Sequence, residues 1–185
     1  RGNLLKIGFE PERIFVVGTT ALDGIKLVKP KIGQPYDLIL LHPDPISEEA
    51  TESDLEETIR ISRVFDATRE HFIVWLRPNK DQNYEIIDNF LNKRVGDIPR
   101  ILVLDNISRP EFLGLLKNSA RYIGNSSAFS LEAPLISPKG RLIKVGFRNK
   151  NRTPPSVQIG ASKRIAEILA TIPINDRLKR KILRY

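Results

Sequence analysis

The sequence predicts an α/β fold built on a Rossmann-like, doubly wound parallel sheet. Short apolar runs alternate with helix-length amphipathic stretches along most of the chain. The runs are apolar at consecutive positions, not at every second one, as expected of strands covered on both faces. Hydrophobic residues make up 41% and charged residues 28% of the 185 residues. That composition, at this length, suits one well-cored domain with a small appendage, since a domain of ~150 residues buries roughly two-thirds of its unfolded surface.

The strand candidates in order are Ile14–Val17, Leu38–Leu41, Phe72–Leu76, Ile101–Leu104, Tyr122–Ile123 and Leu142–Val145. Helix starts lie between them. Ser53 with Glu56, and Ser108 with Glu111, each have capping-box spacing, and Pro110 falls in the first turn of the second. Phe112, Leu115 and Leu116 supply an apolar stripe at helical spacing, as do Ile86, Phe90 and Leu91. Helices over Ser162–Ala170 and Asp176–Leu183 close the chain. The expected division is an α/β domain over residues 1–172 and a terminal helix over 173–185. Met is absent even at position 1, and Arg1-Gly2-Asn3-Leu4-Leu5 reads like the end of a helix, so the chain reads as a piece of something longer.

Composition excludes several chemistries. Without cysteine there is no disulfide, thiolate metal site or cysteine nucleophile. Two histidines, His42 and His71, do not suggest a histidine metal centre, and neither a metal nor a cofactor is expected. Apolar runs fall far short of the ~20 residues that span a bilayer, so no membrane association is expected, and a reducing cytoplasm fits. Charge is uneven: Lys139 to Tyr185 hold 13 basic and 2 acidic residues, against 17 and 20 before them. A basic third suits nucleic acid, anionic lipid, a phosphorylated small ligand or simply a solvated helix face. Base-stacking aromatics are sparse there, which disfavours nucleic acid.

In a parallel α/β sheet ligands sit beyond the carboxyl ends of the strands, so the loops after each strand are where chemistry is sought. Tyr122-Ile123-Gly124 leads into Asn125-Ser126-Ser127, where a helix is expected to begin. Backbone N–H groups and two hydroxyls there make an anion site, and Gly124 permits close approach. Glu132, a turn and a half on, is placed to accept both hydroxyls of a ribose. A plain helix cap with a solvated glutamate fits the same spacing. His42 follows Leu38–Leu41 in a proline-stiffened turn and suits acid, base or phosphate-donor work, or none. Arg148 and Arg152 follow the last strand and suit a diphosphate clamp or a solvated loop. Arg77 and Asn79, after Phe72–Leu76, are weaker sugar or phosphate contacts. His71 precedes its strand, at the wrong edge. No loop carboxylates pair as an acid/base couple.

Taken together these motifs resemble the UDP-N-acetylglucosamine 2-epimerase family, more closely its hydrolysing branch. The resemblance is carried by Asn3-Leu4-Leu5 through Arg13-Ile14-Phe15-Val16-Val17-Gly18, by Leu41-His42-Pro43, and by Glu111-Phe112-Leu113 through Lys117-Asn118-Ser119-Ala120. Gly124-Asn125-Ser126-Ser127 with Glu132-Ala133-Pro134, and Val145-Gly146-Phe147-Arg148 through Arg152, complete it. It covers the C-terminal half of such an enzyme and implies one half of a two-domain GT-B architecture, with the terminal helix packing on an N-terminal domain. It implies UDP or a UDP-sugar as ligand. Ser126, Ser127 and Arg152 would then hold the diphosphate, Glu132 the ribose and the Phe112 backbone the uracil, with Gly124, Asn125 and Arg148 at the same site. His42 is the catalytic-class residue, near the glycosidic phosphate. The family eliminates UDP from UDP-GlcNAc and inverts C2, with acid/base carboxylates from its first domain; this accounts for the missing carboxylate couple. A homodimer is compatible with the resemblance. Two further readings are the donor-binding half of a GT-B glycosyltransferase and a basic nucleic-acid-binding module.

Overall fold

The computed structural model describes residues 1–137, 141–149 and 159–176. The chain divides into two compact units, one of residues 25–154 and one joining 1–24 to 155–185.

The larger unit is a five-stranded, all-parallel sheet. Its strands are β1 (Tyr36–Leu40), β2 (Phe72–Leu76), β3 (Ile101–Leu104), β4 (Arg121–Gly124) and β5 (Arg141–Lys144), in the spatial order β3-β2-β1-β4-β5. Leu38 stands beside Val74 on one flank and Tyr122 on the other. The strand order reverses direction between β1 and β4, which is the switch point of a doubly wound sheet.

Helices cover both faces. Towards one face the odd-numbered residues Ile39, Ile73, Trp75 and Ile123 pack with Leu55 of α2 (Glu48–Ser62) and with Ile87 and Leu91 of α3 (Tyr84–Arg94). Phe90 seals that layer, its ring 5.8 Å from Trp75. On the other face Tyr36 donates its hydroxyl to the Leu115 carbonyl of α4 (Arg109–Asn118) at 2.7 Å, and Tyr122 stacks on Phe129 at 5.6 Å. Burial without alternation follows: β1 is buried at every position, its apolar run Leu38–Leu40 continuing after the ion-paired Asp37.

Local chemistry sets the helix ends. Ser108 and Glu111 form the expected capping box at α4. Ser53 and Glu56 do not start a helix. They lie inside α2, which begins earlier because Ser47 accepts the Ala50 N–H at 3.0 Å and Glu48 and Glu49 fill the first turn. The expected helix after β4 is broken into α5 (Ala128–Leu131) and α6 (Ala133–Ile136), with Glu132 between them and Pro134 in the first turn of α6.

The smaller unit holds α1 (Gly2–Lys6) and α7 (Ala161–Thr171). Here Ile14–Val17 departs from expectation: it joins no ladder among the described residues. Instead the Val17 carbonyl accepts from Arg164 Nε at 2.8 Å, and the segment borders a groove with Ile168 and Thr171 of α7. Asp23 caps α7 from a distance, accepting the Gly160 N–H at 2.8 Å and the Ser162 N–H at 2.7 Å. Those hydrogen bonds to the charged form hold the Asp23 carboxyl below its ordinary range. Of the helix expected over Asp176–Leu183, residues 177–183 lie outside the described residues.

Candidate functional site

Beyond the carboxyl ends of β1, β2, β3 and β4 lies a cavity of about 890 Å³. Its lining includes His42 from the β1 exit, Arg77, Asn79 and Lys80 from the β2 exit, and Asp105 and Asn106 from the β3 exit. Phe112 of α4 and Ser126 from the β4 exit complete it. Loops separated by up to 84 residues in sequence are thus gathered at the switch point, where an α/β sheet opens a crevice. His42, Arg77, Asn79, Phe112 and Ser126, all singled out in the sequence, meet here.

His42 is placed by its backbone. Its N–H donates to Asn125 Oδ1 at 2.8 Å, and its carbonyl accepts from Asn125 Nδ2 at 2.8 Å. Nδ2 also donates to Asp54 Oδ2 at 3.3 Å. The Asn125 amide, buried to 5% exposure, is thereby occupied as a clasp between the exits of β1 and β4. The His42 side chain is half-buried, with Nδ1 sealed from solvent and lacking a hydrogen-bond partner. Burial, helped by the Arg148 charge, lowers its pKa from 6.5 to about 4, so the ring is uncharged at neutral pH. Burial pushes the Asp54 carboxyl the other way, upward, against the opposing hydrogen bond from Asn125.

Gly124 has a physical reason unrelated to a ligand. Its φ is +140°, and a Cβ there would collide with the Leu40 carbonyl oxygen. Downstream, Ser126 Oγ accepts the Ala128 N–H at 3.3 Å, and Ser127 stands at the start of α5 without capping it through its side chain. A four-residue helix carries little macrodipole, so what this turn offers an anion is hydroxyl and backbone N–H donors. Gly124, Asn125 and Ser126 also border a second cavity of about 240 Å³ with Lys144 and Asn149.

Arg148 and Arg77, the described cations expected to meet an anion, are held by carboxylates. Arg148 donates to the Pro43 carbonyl and to Asp81 Oδ2, the latter at 2.9 Å. Arg77 is gripped by Asp88, by Asp105 at 2.8 Å and by Asn92 at 2.8 Å. Glu132, 8% exposed, accepts from Arg109 Nη2 at 2.7 Å through Oε1, while Oε2 is buried with no partner. Ser127, Glu132 and Arg148 do not line the large cavity, and Arg152 lies outside the described residues. Sequence reading missed Lys80, Asp81, Asp88 and Arg109, whose side chains meet partners or the cavity only through the fold. His71 lies at the opposite edge, as expected, with Nδ1 2.8 Å from Asp37 Oδ1. Among the described residues no group of three or more acidic or histidine side chains is arranged to hold a metal. No described helix is long and apolar enough to cross a membrane.

Residues 1–181 match the UDP-N-acetylglucosamine 2-epimerase family. The chain belongs to that family. It is 26% identical over 165 residues to the GDP/UDP-N,N'-diacetylbacillosamine 2-epimerase (hydrolyzing) of Campylobacter jejuni, covering 80% of this chain and 41% of that protein. It is 28% identical over 162 residues to the UDP-N-acetylglucosamine 2-epimerase of Neisseria meningitidis serogroup B, covering 80% and 40%. This 2-epimerase-family chain therefore spans about two-fifths of the length of these relatives. Among solved structures it is similar to the Methanocaldococcus jannaschii UDP-GlcNAc 2-epimerase in complex with UDP-GlcNAc and UDP, with a TM-score of 0.58 and 19% identity over 91% of this chain and 58% of that one. It is also similar to the S. aureus MnaA–UDP co-structure, with a TM-score of 0.54 and 17% identity over 96% and 49%. The fold is the Rossmann-like half of a GT-B-type architecture.

Proposed function

We propose that this chain is the UDP-binding part of a UDP-N-acetylglucosamine 2-epimerase, which eliminates UDP from UDP-GlcNAc and inverts C2 to give UDP-ManNAc, or ManNAc and UDP. The observation that carries the reading is the convergence of His42, Phe112 and Ser126 on one cavity at the switch point of the sheet. Family membership and the UDP named in two similar structures support the ligand class.

In this reading the β4 exit holds the diphosphate through the hydroxyls and backbone N–H groups of Ser126 and Ser127, with Arg148 and Arg152 joining from the loop after β5. Arg148 does so by exchanging its partner Asp81 for phosphate oxygens. The backbone at Phe112 meets the uracil. Glu132 takes the ribose through a carboxylate already touched by Arg109. His42, uncharged at neutral pH, offers the phosphate next to the glycosidic bond a hydrogen bond, not a full charge. Arg77 and Asn79 flank the sugar end. Gly124 and Asn125 act by shaping the turn, since the Asn125 amide is committed to His42 and Asp54. Acid and base carboxylates belong to the rest of the two-domain enzyme, since the chain spans about two-fifths of its relatives' length. The full protein acts without metal or organic cofactor and works in the cytoplasm, in cell-surface polysaccharide synthesis.

Titration calorimetry of the 185-residue chain with UDP tests the proposal. Saturable binding with no turnover of UDP-GlcNAc is the expected result; absence of saturable binding overturns it. Release of ManNAc or UDP-ManNAc from UDP-GlcNAc by the full-length protein, with no acceptor added, separates the epimerase from a glycosyltransferase.

A further inference from the structure

We infer that Lys80 is a further cation, beside those of the loop after β5, that meets the anionic part of the ligand in the large cavity. This rests on the reading that the ligand is a nucleoside diphosphate or its sugar ester, and it names a residue outside the set that sequence reading assigned.

The charges around the cavity carry the inference. Its lining contains two fixed cations, Arg77 and Lys80, and two carboxylates, Asp88 and Asp105. Arg77 is surrounded by both carboxylates and by the Asn92 amide, so its positive field is largely cancelled before a ligand arrives. Arg148 and Arg109 stand outside the lining, each paired with a carboxylate. Lys80 differs: it is exposed, lines the cavity, and forms no ion pair or hydrogen bond with another described residue. Among the described residues lining this space, Lys80 is the cation that does not first have to leave a protein partner.

The loop carrying Lys80 is anchored on both sides of it. Arg77 is pinned just before it, Asp81 is tied to Arg148 at 2.9 Å, and Asn83 Nδ2 donates to the Asp44 carbonyl at 2.8 Å. Asn83 itself sits in the left-handed region, at φ 68°, which ends the loop sharply before α3. Binding therefore orders only the lysine side chain, not the backbone. An ammonium, compact and able to rotate its donors, suits a phosphate oxygen whose position is set by the hydroxyls of the β4 exit.

Calorimetry with uridine, UMP and UDP, on the unaltered chain, Lys80→Met and Lys80→Arg, tests the assignment. Lys80→Met is expected to weaken UDP about tenfold, weaken UMP less and leave uridine unchanged, with a flatter salt dependence for UDP. Lys80→Arg is expected to retain most of the UDP affinity. Equal UDP affinity in Lys80→Met and the unaltered chain, or an equal loss for all three ligands, overturns the inference while leaving the nucleotide reading standing. An unaltered chain that binds none of the three overturns that reading and this inference with it.

Discussion

His42 combines a half-buried, uncharged ring with a backbone clasped on both sides, and this has a measurable consequence. Its pKa is lowered from 6.5 to about 4, so between those values the unfolded chain binds a proton that the folded chain does not. Stability is then fully present above pH 6.5 and falls as the pH drops towards 4, by as much as roughly 3 kcal/mol. Urea unfolding of His42→Gln should show a shallower loss over that window than the unaltered chain. Glu132 gives a second prediction at this scale. Glu132→Ala should cost about 2 kcal/mol of UDP affinity, roughly thirtyfold by calorimetry, as expected on losing a charged hydrogen-bond partner. Residues such as His42, Ser126 and Phe112 were legible because each follows a strand or opens a helix with a local signature. Lys80, Arg109 and Asp81 were not. The Arg109–Glu132 pair spans 23 residues and the Arg148–Asp81 pair 67, distances over which spacing carries no information.

Among the elements, α7 depends on a side chain far from it in sequence. Asp23 accepts two backbone N–H groups at its start, so Asp23→Ala should speed amide hydrogen exchange in the first turn of α7 and leave β1 and β2 protected. The Asp23 carboxyl is held below its ordinary value, so its contribution is present above the unfolded pKa and is lost as pH falls through the lower, folded one. The five strands were readable because each contains a short apolar run, down to Leu142-Ile143 in β5. Ile14–Val17 has the same pattern yet pairs with no strand among the described residues; an apolar run reports burial or a sticky surface, and only a hydrogen-bonding neighbour makes it a strand. Ser53 and Glu56 failed for a related reason: a capping box is recognisable only where a helix begins, and the stronger signal at Ser47 with Glu48 and Glu49 had already started α2.

At the scale of the whole molecule, the central strand is anchored at its amino end. Asp37, with 0% exposure, is clasped by Arg121 on β4 and approached by His71 just before β2. Asp37→Asn should lower global stability by roughly 3 kcal/mol in urea titration, because it leaves the guanidinium without its buried counter-charge. Ligand linkage gives the complementary test: UDP at a hundred times its Kd should raise unfolding stability by about 2.7 kcal/mol, with protection concentrated at the β1 and β4 exits.

The Asn125 amide has one more implication. Its carbonyl receives the His42 N–H and its NH2 group returns a hydrogen bond to the His42 carbonyl, as a peptide unit of an adjacent strand would. A side chain thus adds an extra rung where the main chains of β1 and β4 have already parted. Aspartate lacks the donor half of that rung, alanine lacks all of it, serine is too short to span it and glutamine overshoots it, so a randomised library at position 125 screened for a folded chain should return asparagine almost alone.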